Sequence, residues 1–180
     1  IGVLEEGVLV QSGSAEDVYH HPATPFVARF TGLAGELPVR VAAHGSDGVL
    51  EVTASGIADG SVRLPSLRPV LQPVTPSSGL KPGDDALLAI RPTGVLLLPT
   101  ADETPHLTGT VADVAFRGRG YEYAIDLPGL GRLTGVFARH RTERGDAVGL
   151  RLDPEGCHLF GADAGAVPAA GAAPNPALTV

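Results

Sequence analysis

The chain has 180 residues, enough for one domain of ordinary size or one domain with appendages. Its formal net charge of −7 argues against nucleic acid as the main partner, because phosphate binding needs a basic face. A single cysteine excludes an internal disulfide framework and a thiolate metal site, and no apolar run is long enough to span a bilayer.

The composition favours short strands and turns over long helices. Glycine occurs 24 times and proline 16 times, while aromatic residues make up only 4% of the chain. Tryptophan and methionine are absent. We therefore expect a core of valine, leucine, alanine and isoleucine, and the lack of a starting methionine suggests an incomplete N-terminus.

A β-hairpin is predicted at the start of the chain. The apolar residues 3–4 and 8–10 flank a Glu-Glu-Gly turn at residues 5–7, and its glycine suits a positive φ.

Two short helices should follow the hairpin. Ser14 is a predicted N-cap, and Pro22 stops the first helix. Thr24 can cap a second helix that has Pro25 at its first position and Gly32 just past its end. These helices cannot bury their apolar faces alone, so we expect a partner surface in sequence preceding the chain.

From residue 37 onward the periodicity becomes strand-like, with a turn every eight to twelve residues. Residues 64–83 are rich in proline, serine and glycine and predict an irregular connection. The predicted strands are 37–43, 49–53, 61–64, 86–91, 95–98, 107–116, 121–127, 132–138, 147–152 and 157–160. This pattern predicts a mainly β barrel or sandwich.

Three motifs in residues 1–32 carry a family resemblance. They have the forms G-x-x-x-Q-x-G, Y-x-x-P and P-F-V-A-x-F-x-G, and together they resemble the closing segment of an ABC-importer ATPase domain. The matching residues are Gly7, Gln11, Gly13, Tyr19, Pro22, Pro25, Phe26, Val27, Ala28, Phe30 and Gly32. The resemblance implies that the helix carrying Phe26 and Phe30 packs against the ATPase body.

A second resemblance covers roughly residues 86–160. The run Ala-Ile-Arg-Pro at 89–92, the sequence from Leu107 and the closing segment up to Phe160 look like the TOBE accessory domain that follows importer ATPases. The matching residues of the middle run are Gly109, Val111, Val114, Phe116, Gly118 and Tyr123. The implied fold is mainly β, an OB-like barrel preceded by a short hairpin and two short helices.

The resemblance divides the chain into three parts. Residues 1–32 would be a C-terminal remnant of an ABC ATPase domain, 33–160 a TOBE-like accessory and regulatory domain, and 161–180 a disordered tail.

The resemblance also implies what this chain lacks. ATP hydrolysis in the family needs a phosphate loop, a magnesium-binding carboxylate, an L-S-G-G-Q signature and a switch histidine, and none occurs here. We therefore expect no enzyme activity from this chain, and we assign no catalytic, cofactor-binding or metal-binding residue. ATP and Mg²⁺ would belong to the full-length subunit.

The implied partners are a second copy, paired through the accessory domain, and transmembrane permease subunits reached through the full-length ATPase. Neither nucleic acid nor direct membrane insertion is expected. The implied location is cytoplasmic, peripheral to the inner face of the plasma membrane. The segment LAGELPVRV looks somewhat more like ferric-iron importers than maltose or molybdate importers, and spermidine, sulfate and other small solutes stay open as alternatives.

Two alternatives stay open: a stand-alone oxyanion-binding barrel and an OB-fold nucleic-acid binder. The sequence Arg-Gly-Arg-Gly at 117–120 could serve either, although a plain hairpin loop is the favoured interpretation. Phe116 and Tyr121, which flank this loop, are expected to point inward.

Overall fold

A computed structural model describes residues 1–44, 50–54, 64, 80–98 and 105–162. Most of the predicted strand at 61–64, of the connection 64–83 and of the tail 161–180 lies outside these residues. The strands are β1 (Gly2–Glu5), β2 (Val8–Ser12), β3 (Gly35–His44), β4 (Leu50–Ala54), β5 (Asp85–Ile90), β6 (Val95–Leu97), β7 (Leu107–Phe116), β8 (Tyr121–Leu127), β9 (Gly131–Ala138), β10 (Ala147–Leu152) and β11 (Cys157–Gly161). The helices are α1 (Ala15–His20) and α2 (Pro25–Phe30), and single 3-10 turns occupy Pro92–Gly94 and Pro154–Gly156.

The N-terminal elements begin and end where their local sequence directs. The backbone N–H of Asp17 donates to Ser14 Oγ at 3.0 Å, and that of Val27 donates to Thr24 Oγ1 at 3.3 Å. Both hydroxyls thus satisfy orphan donors at a helix start. The hairpin of β1 and β2 then packs on the helices through a small buried cluster centred on Val3, Val18 and Val27.

The barrel consists of two antiparallel sheets among the described residues. One has the strand order β6-β10-β7-β8-β9 and the other β11-β5-β3-β4. The backbone N–H of Thr134 on β9 donates to the Ala34 carbonyl at 2.8 Å, which joins the sheets beside the start of β3. Alternate side chains of both sheets fill one shared core. The predicted mainly β, OB-like fold with two short helices is confirmed.

The two sheets exchange strands at the pair of 3-10 turns. One turn leads from β5 to β6 and the other from β10 to β11, so each carries the chain from one sheet to the other. The Arg91 N–H donates to the Gly156 carbonyl at 2.8 Å, and the Asp153 N–H donates to the Gly94 carbonyl at 3.0 Å. A Cβ on Gly94 would lie 2.6 Å from the Gly156 carbonyl oxygen, so the turns touch backbone to backbone.

The N-terminal helices dock on the outer face of the four-stranded sheet. Along β5, Leu88 and Ile90 point into the barrel core, whereas Ala89 points outward. Ala28 of α2 is buried against Ala89 and Phe160. Part of the partner surface expected in preceding sequence is therefore supplied by the barrel itself.

We expect Gly156→Ala to lower the free energy of unfolding by at least about 2 kcal/mol, since the methyl group would meet the Gly94 backbone and the crossing strands cannot separate locally. Gly161→Ala is the matched control, because its Cβ would make an ordinary 3.6 Å contact with Leu80 Cδ2. Urea unfolding of both variants is the measurement. Equal stability of the two would show that the crossing tolerates a side chain.

Candidate functional site

One buried guanidinium connects the N-terminal helices to the barrel. Arg91 directly follows β5 and is only 1% exposed. Its Nη1 donates to the Ala28 carbonyl at 3.0 Å and to the Gly32 carbonyl at 2.6 Å, while its Nη2 donates to the Tyr19 carbonyl at 2.6 Å. We call this arrangement the Arg91 joint.

The acceptors of Arg91 lie at the C-terminal ends of both helices. Tyr19 is in the last turn of α1, Ala28 is in α2, and Gly32 lies just past the end of α2 with φ of 100°. Carbonyls at helix C-termini lack intrahelical partners and carry partial negative charge. A single fork of donors therefore caps two helices at once.

The joint holds its charge without a carboxylate from the described part of the chain. The Arg91 Cζ lies 4.2 Å from the centroid of the Tyr19 ring, which adds a cation–π contact. Burial lowers the pKa of the Arg91 guanidinium, but arginine stays protonated in proteins. Its Nε has no hydrogen-bond partner among the described residues. The geometry of the carbonyls and the ring thus has to offset the desolvation of a full positive charge.

A histidine lies beside the joint on the same sheet face. His158 on β11 pairs in register with Ala89 and is 7% exposed. Its pKa is lowered to about 4, mainly by burial and in smaller part by the positive charges of Arg91, His21 and His20. The imidazole is consequently neutral at physiological pH.

An open cleft lies on the barrel surface near the β7–β8 turn. It is lined by Arg119, Phe137, Ala138 and Arg139 and has a volume of about 680 Å³. The Arg119 Cζ lies 5.5 Å from the centroid of the Phe137 ring. We call this surface the Arg119 cleft.

A second cleft, of about 460 Å³, carries charges of both signs. Arg132 Nε lies 2.6 Å from Asp126 Oδ1, and this hydrogen bond lowers the pKa of the Asp126 carboxyl. Asp113 and Arg144 also line the cleft.

The prediction that Phe116 points inward is wrong for its ring. Phe116 pairs in register with Tyr121 and shares its face of the sheet, but it lies at the end of β7 and is 66% exposed. Its ring centroid is 5.4 Å from that of Tyr121.

No site for a resident metal or a reactive thiolate emerges from the described part of the chain. No three His, Cys, Asp or Glu side chains converge there. Burial raises the pKa of the Cys157 thiol to about 12, so this cysteine is an inert core residue. The described helices are all too short or too polar to cross a membrane.

Sequence reasoning missed the Arg91 joint, because it treated Arg91 as the end of a strand. The available signal was a lone cation closing the continuous apolar run of residues 86–90. Its partners are 59 to 72 residues away, which no local pattern reveals.

Comparison with known proteins places these features in a context. Residues 88–160 match the TOBE domain family. The chain is 34% identical over 171 residues to the maltose/maltodextrin import ATP-binding protein MalK of Salmonella typhimurium, covering 92% of this chain and 42% of that protein. It is 34% identical over 125 residues to the Fe(3+) ions import ATP-binding protein FbpC of Brucella abortus, covering 69% of this chain and 30% of the relative.

Further comparisons agree with these. The spermidine/putrescine import ATP-binding protein PotA of Borreliella afzelii is 27% identical over 162 residues, covering 89% of this chain and 40% of the relative. A structure of the molybdate-binding protein ModG has a TM-score of 0.54 and 17% identity, covering 71% of this chain and 96% of its own, which shows the fold alone. The chain spans about two fifths of the length of its first curated relatives.

Arg91→Lys should keep the charge but lose the fork that reaches three carbonyls. We expect a loss of about 2 kcal/mol or more in unfolding free energy. Amide hydrogen exchange should also quicken in residues 15–32 ahead of the barrel strands. Arg40 forms an exposed ion pair with Asp85, and Arg40→Lys is the control. This variant should leave the unfolding free energy and the amide exchange of residues 15–32 unchanged. Uniform loosening of barrel and helices would contradict a localised joint.

The depressed pKa of His158 predicts a pH-dependent stability. Below about pH 6.5 the unfolded chain gains a proton on this imidazole that the folded chain does not, so stability falls as pH drops towards about 4. Its share of the loss is at most about 3 kcal/mol. The free energy of unfolding in urea is measured at about pH 7.5 and at about pH 5. The difference between the two values should be smaller for His158→Gln than for the parent chain. An identical difference would mean that His158 titrates alike in both states.

Proposed function

We propose that this chain, which shares the C-terminal region and the TOBE domain of importer ATP-binding subunits, is the accessory and regulatory region of such a subunit and takes part in ATP-driven solute import. The observation that carries the proposal is the continuous similarity to MalK over 92% of the chain. That similarity runs through the N-terminal helices and the barrel alike, so the Arg91 joint lies inside it.

The joint supports a mechanical role. A buried cation shared by two helix ends and the sheet makes the N-terminal segment and the barrel one packed unit. Movement of the ATPase body would therefore reach the barrel without an intervening hinge at this point.

Exposed apolar side chains of the N-terminal segment support contact with an ATPase body. Leu4 and Leu9 are opposite each other on the hairpin and are 61% and 58% exposed, and Phe30 of α2 is 70% exposed. The Phe26 and Phe30 rings are stacked with centroids 6.3 Å apart. A contiguous patch formed by such side chains would mark an interface.

The remaining parts of the proposal follow from the same assignment. Two accessory regions would pair as a homodimer, and permease subunits would be engaged through the ATPase domain. ATP and Mg²⁺ would bind to that domain and not to this chain. The subunit would lie at the inner, cytoplasmic face of the plasma membrane.

A chimera tests the function. The matching region of Salmonella MalK is replaced by this chain, and maltose uptake and ATP hydrolysis are measured in the assembled transporter. We expect uptake to be retained, and the same chimera with Arg91→Lys to hydrolyse ATP with less uptake per ATP. A well-folded chimera with no uptake would contradict the proposal.

Sedimentation of the purified chain tests the proposed homodimer, and a monomer at high concentration would refute the pairing.

Iron(III) is the cargo that we propose, on the LAGELPVRV segment and the match to the Brucella ferric importer. Deleting the gene from its native host should abolish uptake of radioactive iron while maltose and spermidine uptake persist. Loss of maltose or spermidine uptake with iron uptake intact would show that iron is not the cargo and that the affected solute is.

A further inference from the structure

The Arg-Gly-Arg-Gly loop builds a defined surface and is more than a connection. Gly118 has φ of 78°, and the Arg117 N–H donates to the Gly120 carbonyl at 2.8 Å, which closes the turn. A Cβ on Gly120 would lie 2.5 Å from Phe137 Cζ, so glycine is needed for the ring to approach the loop. The turn thus places Arg119 beside the Phe137 ring.

Five of the ten arginines in the described part of the chain have a carboxylate partner in an exposed ion pair. The exposed ion pairs are Arg29–Glu36, Arg40–Asp85, Arg117–Glu122, Arg132–Asp126 and Arg141–Glu143. Arg119 and Arg139 have no carboxylate within ion-pair distance among the described residues, and both line the Arg119 cleft. A chain of net charge −7 has carboxylates to spare, so two unpaired guanidiniums in one cleft mark a surface that suits an external anion.

The cleft combines charge with an apolar floor. Phe137 is 37% exposed and lines the cleft together with both arginines, and Ala138 adds to the apolar surface. Arginine and aromatic side chains are the residue types that contribute most to binding energy in protein interfaces.

The form of the cleft distinguishes between classes of ligand. Small-molecule sites fix their ligand with buried polar groups, whereas both guanidiniums here are exposed. Nucleic acid requires several cations to release counterions, and this cleft offers two. An extended acidic segment fits better, because it can place carboxylates on both arginines and an apolar side chain on Phe137 between them.

We propose that the Arg119 cleft is the docking site for an acidic segment of a partner protein that carries an apolar residue between carboxylates. This site is separate from the Arg91 joint, and the inference does not rest on the importer assignment.

The probe for the test is a short fluorescein-labelled peptide of glutamates flanking one phenylalanine, titrated with the purified chain and followed by fluorescence anisotropy. The double variant Arg119→Glu and Arg139→Glu should weaken binding at least about tenfold, since two attractive contacts become repulsive. Arg144 is an exposed arginine in the second cleft, and Arg144→Glu makes the same change of charge per site. The peptide affinity of this control should stay within about twofold of that of the parent chain. Phe137→Leu should weaken binding while keeping an apolar floor.

Three outcomes would overturn the proposal. The first is no binding of the acidic peptide, or equal binding of a peptide with lysines in place of glutamates. The second is an equal loss in the Arg144→Glu control, which would indicate general attraction to positive charge. The third is tighter binding of single-stranded polyuridylate with the same dependence on Arg119 and Arg139, which would make the cleft a nucleic-acid surface. Circular dichroism of each variant confirms that it is folded.

Discussion

Two backbone segments cross at Gly94 and Gly156 with no room for a side chain between them, and the rest of the structure depends on this crossing. It carries strands from each sheet into the other and thereby closes the shared core. It also sets the positions of two buried polar side chains. Arg91 immediately precedes the first turn. His158 is the second residue after the end of the second turn. Because the turns are paired by two hydrogen bonds, these side chains meet on one outer face of the four-stranded sheet.

The Arg91 joint differs in physical character from the other charged contacts. The exposed ion pairs of this chain lie in high dielectric and contribute little to stability. At the joint, Arg91 is shielded from water, and its partners among the described residues are backbone carbonyls and the Tyr19 ring. Such a contact is demanding in geometry, because an unpaired buried charge is costly. The neutral state of His158 removes a competing positive charge. The joint therefore favours one arrangement of the helices over neighbouring ones.

Local patterns were sufficient for the elements and insufficient for their assembly. The caps Ser14 and Thr24 and the barrel strands from β7 onward were predicted within a residue or so, because capping and alternation act over a few neighbours. The docking of α2 on the sheet was not predicted, since Ala28 and Ala89 are small residues with no distinctive pattern. Phe116 lies on the face of the sheet that the alternation predicts, but its ring is exposed. Alternation does not reveal where a sheet ends. The Arg119 cleft likewise depends on which arginines find carboxylates across strands.

Strand β9 runs from the point where the N-terminal segment enters the barrel to the Arg119 cleft. Near its middle, Thr134 is hydrogen-bonded to Ala34, the residue at which the N-terminal segment enters the barrel. Three residues further, Phe137 forms the floor of the Arg119 cleft, about 10 Å along an extended strand. Strand β9 is held along most of its length by its antiparallel pairing with β8. A shift of the helices at the Arg91 joint that moved Ala34 would consequently move β9, and the cleft arginines with it. The desolvated joint and the open, charged cleft are thus linked by a short path of backbone that crosses from Ala34 to Thr134 through hydrogen bonds.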